Sequence, residues 1–154
     1  MKRLKIGDLI EIQTNIGIFY ALYTHKHRMY GALIRIFDKI YERRPENLQG
    51  VISEKVRFST FFPLKAALSK GIFVAVGNYV VSPELQKFPI FRSGTPDQKT
   101  KKVKNWWFWD GENEWKVGEL NQEQKKIPIR GVWNDTLLIK RIESGWLPEN
   151  DITT

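Results

Sequence analysis

The stretch that decides the fold lies near the start of the chain and reads LIEIQ at residues 9–13, NIG at 15–17 and IFYALYT at 18–24. The outer segments are rich in β-branched and aromatic residues and the middle one is a turn-forming sequence, so together they predict a β-hairpin. A third run at 30–40 has a similar composition and predicts another strand, interrupted by Arg35. Three strands joined by short loops predict a meander that curls into a small barrel or sandwich.

Four segments with different patterns follow the meander. Residues 41–50 are polar and contain a proline, which predicts a surface loop, and a strand is expected over 51–58. Residues 63–71 place helix-forming residues between a proline and a glycine, which is typical of a short helix. The apolar run 72–77 ends at a glycine and follows another, which predicts a strand buried on both faces.

The last third of the chain contains a hairpin signature and a helix signature. The aromatic segment 105–109 leads into an Asp-Gly pair and then into 112–117, which predicts a hairpin with a type I′ turn. Residues 136–144 have one apolar face and predict a helix that begins at a polar N-cap and ends at Gly145. The whole pattern predicts one β-rich α+β domain over 1–154, with a curled antiparallel sheet or small barrel and two short helices.

Composition narrows the class of protein further. The chain has no cysteine, so it has no disulfides, thiolate metal ligands or thiol nucleophile, and a reducing compartment is expected. No apolar run approaches the roughly 20 residues that span a bilayer. The positively charged N-terminus is not followed by an apolar stretch, so no secretion signal is predicted. A cytoplasmic protein without membrane contact is therefore expected.

Charge is unevenly distributed along this basic chain, whose formal net charge is +8. Residues 1–104 contain 19 lysines and arginines against 8 aspartates and glutamates, whereas residues 105–154 contain 6 against 9. The electric field of such a molecule speeds its encounter with an acidic partner. Surface lysines that only keep the protein soluble are the alternative interpretation.

The sequence nominates no catalytic centre. His25 and His27 are the only histidines, and their spacing on a strand would place both rings on the same side. A metal site needs at least one more ligand, and the adjacent Lys26 and Arg28 would repel a cation. Nucleophile-elbow and phosphate-loop motifs are absent from the sequence. We therefore predict no metal, no cofactor and no enzymatic activity.

A basic segment next to a cluster of tryptophans suggests a different function. Lys99, Lys101, Lys102 and Lys104 lie in a segment without apolar periodicity, which predicts a flexible cationic loop. The tryptophans are Trp106, Trp107 and Trp109. Cations beside flat aromatic rings are typical of single-strand nucleic-acid binding. Large rings on both sides of the strand also fit one that is buried within a core.

Several short motifs occur in a familiar order along residues 5–146. They are KIGDLIEI at 5–12, a second and third strand ending near Phe37-Asp38, FPIFR at 88–92, WFWDG at 107–111 and RIESGW at 141–146. In this order the chain resembles the immunity protein 26 family of bacterial polymorphic toxin systems. The resemblance implies a non-enzymatic, cytoplasmic inhibitor that binds a toxin domain and protects the cell that makes it.

The resemblance carries structural markers and no catalytic residues. The matching positions are Gly7, Asp8, Phe91, Arg92, Asp110, Gly111, Arg141 and Gly145. Among these, Asp110 and Gly111 are expected to form a turn, and Arg92 or Arg141 to pair with a buried carboxylate such as Asp8. A hydrolase label is sometimes attached to the family, but two histidines and no cysteine cannot supply a conventional binuclear centre.

Two faces could dock the toxin domain. A basic chain fits an acidic toxin, and alternatively the acidic strip Asp110, Glu112, Glu114, Glu119 and Glu123 is the docking face. The candidate partner-binding residues are Arg43, Arg44, Lys99, Lys101, Lys102, Lys104, Glu112 and Glu114. The alternative function is a nucleic-acid-binding module that uses the basic loop and the adjacent tryptophans.

Overall fold

Strands β1 (Asp8–Thr14), β2 (Gly17–His27) and β3 (Gly31–Phe37) form the antiparallel meander that the sequence predicts. The computed structural model describes residues 3–154. Strands β4 (Val56–Phe61) and β5 (Val74–Asn78) extend the meander to a five-stranded antiparallel sheet, in the order β4-β3-β2-β1-β5. The sheet does not close on itself, so the small-barrel alternative is wrong.

The chain forms two compact units, neither of which is one continuous segment. The first unit runs to Lys87 and also includes Gly131–Gly145. The second unit comprises Phe88–Arg130 and Trp146–Thr154. The chain thus leaves the first unit after its fifth strand and returns to it for a helix near the C-terminal end. The single domain predicted over residues 1–154 stays a prediction.

Both faces of the five-stranded sheet are covered, which explains its unbroken apolar runs. Leu9 and Ile10 are adjacent on β1, point to opposite faces, and are both fully buried. On the face of Leu9, a cluster of buried side chains continues from the strands into the segments that cover them. It contains Leu9, Ile18, Tyr20, Leu22, Phe37, Val51 and Val81.

Three short α-helices complete the first unit. Helix α1 (Leu64–Ser69) lies within the predicted range 63–71, and α2 (Pro83–Gln86) was not predicted because a four-residue helix has no apolar periodicity. Helix α3 (Asp135–Ser144) contacts β1 and begins where the Asn134 side chain accepts a hydrogen bond from Leu137 N at 2.8 Å. As predicted, α3 ends at Gly145, which has the left-handed φ of 74°.

The second unit is built on a three-stranded antiparallel sheet. Its strands are β6 (Phe91–Ser93), β7 (Trp106–Trp109) and β8 (Glu114–Gly118), with β7 in the centre. The β-rich α+β class is therefore confirmed, with two antiparallel sheets instead of one. Among residues 3–154, no helix combines the length and apolar character needed to cross a membrane.

Arg92 is the polar centre of the second unit. Its side chain is fully buried and donates hydrogen bonds to Ile127 O, Lys125 O, Pro148 O and Thr154 Oγ1 at 2.8–3.0 Å. Its guanidinium also lies over the Trp106 ring, and burial lowers its pKa to about 10. Backbone carbonyls thus replace the buried carboxylate that we expected as its partner.

The other structural markers lie at turns and helix ends. Asp8 accepts hydrogen bonds from Lys5 N and Asn78 Nδ2, both at 2.9 Å, so it organises the entry to β1 and does not serve as a buried counter-ion. Gly7 directly precedes that strand. The Arg141 guanidinium lies 4.4 Å from the centre of the Trp133 ring. The role of these residues as structural markers stays a prediction.

Three local predictions are corrected by the structure. The strand predicted over 51–58 begins only at Val56, because a 3₁₀ helix (Leu48–Ser53) buries Val51 against the sheet instead. The strand predicted over 72–77 lies at the edge of the sheet and is not buried on both faces. The predicted hairpin in 105–117 is confirmed, but its turn is not type I′.

The hairpin between β7 and β8 has a four-residue loop. Trp109 pairs with Glu114, so residues 110–113 connect the strands, and only Gly111 among them has a positive φ. The Asp110 carboxylate accepts hydrogen bonds from Glu112 N and Asn113 N at 2.9 and 2.7 Å. A type I′ turn needs positive φ at both central residues, and the Asp110 side chain stabilises this wider loop instead.

Candidate binding surfaces

The basic loop between β6 and β7 is organised by Asp97. Its carboxylate accepts hydrogen bonds from Lys99 N at 2.8 Å and Thr100 N at 2.9 Å, and its backbone N–H donates to Lys102 O at 2.7 Å. The N–H groups of Thr100 and Lys99 hold the pKa of Asp97 below its ordinary value. The composition predicted a flexible segment, whereas the structure contains a loop with its own network of hydrogen bonds.

The loop is also attached to the last residues of the chain. Val103 is buried and its N–H donates to Thr153 O at 2.9 Å. The Lys102 ammonium donates to Thr154 O at 2.7 Å. At the start of the loop, a Cβ added to Gly94 would lie 2.3 Å from a methyl of Val103, so the close approach of the two segments requires glycine there. These contacts fix the base of the loop.

Trp107 lies beside this loop on the central strand of the second sheet. Trp106, Phe108 and Trp109 are buried, whereas Trp107 is 38% exposed. Its cross-strand neighbours are Ser93 on β6 and Lys116 on β8. The burial-within-a-core interpretation therefore holds for three of the four aromatic residues, and Trp107 is left available to a ligand.

Trp107 and the loop border an open cleft of about 400 Å³, which we call the Trp107 cleft. It is lined by Gly94, Thr95, Asp97, Lys102, Lys104, Asn105 and Trp107. Lys104 is exposed and its charge lowers the pKa of Asp97, which places the two charged groups near each other. The cleft thus combines an aromatic face with two cations and several hydrogen-bonding groups. Lys99 and Lys101 are exposed on the same loop but do not line it.

The first unit presents a different surface, the outer edge of its sheet at β5, which we call the β5 edge. In the described part of the chain, β5 pairs with β1 on one side and no further strand follows it. Val74 is 48% exposed, and the adjacent Ala75 is also exposed, so this end of the strand is open to solvent on both faces. The flanking Ile72 and Val80 are 38% and 86% exposed. The β5 edge is therefore an accessible apolar strand.

Comparison with known proteins finds no relative. Protein-family models, curated proteins and solved structures were each searched, and none of them matches this chain. Interpretation of its function therefore depends on the residues themselves.

Arg44, a predicted partner-binding residue, makes an intramolecular ion pair. Its Nε and Nη2 donate to the two carboxylate oxygens of Glu11 at 2.7 and 3.0 Å, and Tyr20 Oη donates to the same carboxylate at 2.8 Å. Glu11 is buried on β1, and the hydrogen bond from Arg44 lowers its pKa. Arg44 therefore attaches the 41–50 loop to the sheet although 52% of its side chain stays exposed, and the neighbouring Arg43 is exposed as well.

The predicted acidic residues lie on the β7–β8 hairpin and are partly paired. Glu114 accepts a hydrogen bond from Arg130 Nη1 at 2.9 Å, and the Arg130 guanidinium lies 5.2 Å from the centre of the Trp109 ring. Glu112 is exposed in the hairpin loop. The acidic strip is thus divided between structural contacts and solvent, which makes it a weaker docking candidate than the cleft or the β5 edge.

Both histidines make hydrogen-bonding contacts within the first unit. His25 Nε2 lies 2.7 Å from Gln86 O and its Nδ1 lies 2.8 Å from Thr24 Oγ1, and burial lowers its pKa. His27 Nδ1 accepts a hydrogen bond from Met29 N at 3.1 Å. In residues 3–154, no group of three or more histidine, aspartate or glutamate side chains is arranged to hold a metal.

Sequence reasoning missed two features, the hydrogen bonds of the buried Arg35 and part of the lining of the Trp107 cleft. Arg35 is buried and donates to Thr24 Oγ1, Leu85 O and Lys87 O, so it fastens the end of α2 to the sheet. Burial lowers its pKa to about 10. The sequence contained one signal for this role, because an arginine within an otherwise apolar strand indicates a buried cation that needs hydrogen-bond partners. The contribution of Thr95 and Asn105 to the Trp107 cleft had no signal, because it depends on how the loop folds back.

Proposed function

We propose that this chain is a non-enzymatic immunity protein that binds and neutralises a cognate bacterial toxin domain in the cytoplasm. The observation that carries the proposal is the β5 edge, an accessible apolar strand at the end of an open sheet. A strand edge presents backbone N–H and C=O groups, and its complement is another extended polypeptide. The feature therefore favours a protein partner over a small molecule or a nucleic acid.

Exposed apolar side chains on the β5 edge support this interpretation. Natural proteins usually protect strand edges with charges, prolines or covering segments. Val74 and Ala75 supply none of these, and Val80, just beyond the strand, is almost fully exposed. Docking of a partner strand would bury these side chains and satisfy the edge at the same time.

Charge indicates an acidic partner. Strand β5 lies within residues 1–104, a part of the chain that contains 19 lysines and arginines against 8 acidic residues. Two copies of this basic chain would repel each other, whereas an acidic toxin domain would be attracted. The order of motifs that resembles the immunity protein 26 family supports an inhibitory role for the complex.

Growth rescue tests the proposal directly. The chain is co-expressed with the toxin-like domain encoded beside its gene, and survival is compared with an unrelated control protein. Complex formation is measured by size-exclusion chromatography of the purified pair. We expect rescue and a one-to-one complex.

A matched pair of variants tests the docking surface. Val74→Glu places a negative charge on the β5 edge and is expected to weaken the complex about tenfold or more, because like charges oppose an acidic partner strand. Ile16→Glu introduces the same charge at a hairpin turn of similar exposure, 52% against 48%, and is expected to have no effect.

Three outcomes would overturn parts of the proposal. No rescue and no complex would exclude the immunity function, and a steeply salt-dependent affinity for random oligonucleotides would then favour the nucleic-acid alternative. Rescue with unchanged affinity in Val74→Glu would exclude the β5 edge as the docking surface. A homodimer that Val74→Glu dissociates would assign the edge to self-association.

A further inference from the structure

We propose that the Trp107 cleft binds a nucleotide unit, with the base stacked on the Trp107 indole and the phosphate held by Lys104. The cleft belongs to the second unit and shares no residue with the β5 edge, so this inference does not rest on the immunity function. The ligand chemistry is that of a planar ring joined to a phosphate. Free nucleotides and single-stranded nucleic acids both supply it.

The aromatic half of the site is a rigid surface. Trp107 lies on the central strand of its sheet, between Ser93 and Lys116, and its neighbours Trp106 and Phe108 are buried. Trp107 is 38% exposed, so part of its indole is accessible on a strand whose place in the sheet is fixed by both neighbouring strands. Stacking on an exposed indole is the interaction by which proteins bind unpaired bases.

The cationic half of the site lies on the loop that borders the cleft. Lys102 and Lys104 line it, and Lys116 faces the same side of the sheet as Trp107. The Lys102 ammonium is hydrogen-bonded to Thr154 O, whereas Lys104 is exposed and shares the cleft with the Asp97 carboxylate, so Lys104 is the cation that would bind a phosphate. An ammonium beside an aromatic face is the arrangement that a base and its own phosphate require.

Polar groups and volume also fit a nucleotide unit. The Asn105 amide and the Thr95 hydroxyl can hydrogen-bond to the edge of a base, and both line the cleft. Its volume of about 400 Å³ lies within the roughly 300–1,000 Å³ of small-ligand sites. Because Asp97 and Val103 fix the loop through backbone hydrogen bonds, the site exists before a ligand arrives.

Equilibrium binding of defined probes to the full chain tests the proposal. A fluorescently labelled single-stranded oligonucleotide of about eight nucleotides is titrated and followed by anisotropy. Unlabelled uridine monophosphate and a poly-glutamate peptide are then used as competitors. Displacement by the mononucleotide identifies a single-unit site, and displacement only by unlabelled oligonucleotide identifies a strand-binding site. Both outcomes support the proposal.

Two pairs of variants separate stacking from general charge. Trp107→Leu keeps an apolar side chain but removes the ring, and is expected to weaken binding by about 5- to 150-fold. Trp115→Leu is its control, because Trp115 is 40% exposed on the opposite face of the same sheet. Lys104→Gln is expected to weaken the salt dependence, reducing the magnitude of the negative slope of log K against log salt by about 0.7. Lys99→Gln, on the same loop outside the cleft, should leave the slope unchanged.

Two results would overturn the proposal. Equal weakening in Trp107→Leu and Trp115→Leu, or none in either, would show that the cleft does not stack a base. Displacement of the oligonucleotide by poly-glutamate as effectively as by unlabelled oligonucleotide would show that the surface attracts any polyanion. Trp107→Phe retains an aromatic face and should keep most of the affinity, which guards against a loss caused by misfolding.

Discussion

Glu11 is a buried carboxylate whose partners lie on the neighbouring strand β2 and in the 41–50 loop. It lies on β1 and accepts hydrogen bonds from Tyr20 and from Arg44. A buried charge is tolerated when it is paired and hydrogen-bonded, and removal of the pairing leaves the remaining groups unsatisfied. The contact explains why a polar residue interrupts an otherwise apolar strand.

We expect Glu11→Gln to lower the free energy of unfolding by about 1 to 3 kcal/mol at neutral pH, because a neutral amide accepts weaker hydrogen bonds from Arg44 and Tyr20. Urea denaturation followed by intrinsic fluorescence measures the change. Glu46→Gln is the control, because Glu46 is an exposed residue of the 41–50 loop that also contains Arg44. Equal stability of Glu11→Gln and the wild-type chain would contradict this role.

The same pair predicts a pH dependence. The pKa of Glu11 in the folded state is below its ordinary value of 4.5, chiefly through the hydrogen bond from Arg44. The stabilisation is therefore complete above pH 4.5 and is lost as the pH falls through the folded-state pKa. The stability difference between wild type and Glu11→Gln should shrink in that acidic range.

Helix α3 shows how local signals define an element. Asn134 caps its first turn, and Gly145 ends it in the left-handed conformation. The buried Leu138 and Ile142, one turn apart, give α3 its apolar face. Near its end, Glu143 accepts a hydrogen bond from Asn15 N at 2.6 Å, so the helix also supports the β1–β2 turn. Local and tertiary requirements agree in this element.

We expect Gly145→Ala to destabilise the protein by about 1 kcal/mol, because alanine is strained at a φ of 74°. The added Cβ has space, since its nearest neighbour would be Arg57 at 3.6 Å, so the cost is conformational. Gly50→Ala is the matched control: its Cβ would meet nothing within 4 Å and its φ is not positive. Thermal unfolding measures both, and equal melting temperatures would contradict the expectation.

The whole molecule combines a basic first part with a weakly acidic remainder, and this asymmetry governs association more than stability. We expect the rate of association with an acidic toxin domain to fall about tenfold or more between roughly 0.05 and 0.5 M salt. The dissociation rate should change much less, because apolar contacts at the β5 edge are not screened. Stopped-flow measurements across this range test both rates, and a salt effect confined to dissociation would contradict electrostatic steering.

Sequence patterns predicted those elements whose signals are local. The β1–β2–β3 meander, helix α3 and the hairpin between β7 and β8 all follow from composition, capping and turn residues within about ten positions of one another. The class of fold follows from the same signals. The turn after Trp109 shows the limit, because the Asp110 side chain selected a four-residue loop over the two-residue turn that the Asp-Gly pair indicates.

Features of the candidate surfaces were decided by tertiary structure. The amino-acid pattern of an apolar run such as 72–77 is the same for a central strand and for an edge strand. The position of β5 at the open edge follows only from the order of strands in the folded sheet. Trp107 is 38% exposed, whereas Trp109, two positions further along the strand, is buried against Phe88 and Phe91. Arg44 makes an ion pair with Glu11, 33 positions away, whereas Lys104 lines the Trp107 cleft. The sequence by itself determined the first three strands, the β7–β8 hairpin, the ends of α3 and the charge of this protein, because these depend on neighbours along the chain. Tertiary structure alone decided which aromatic ring, which strand edge and which cations are accessible, because accessibility depends on residues that meet only after folding.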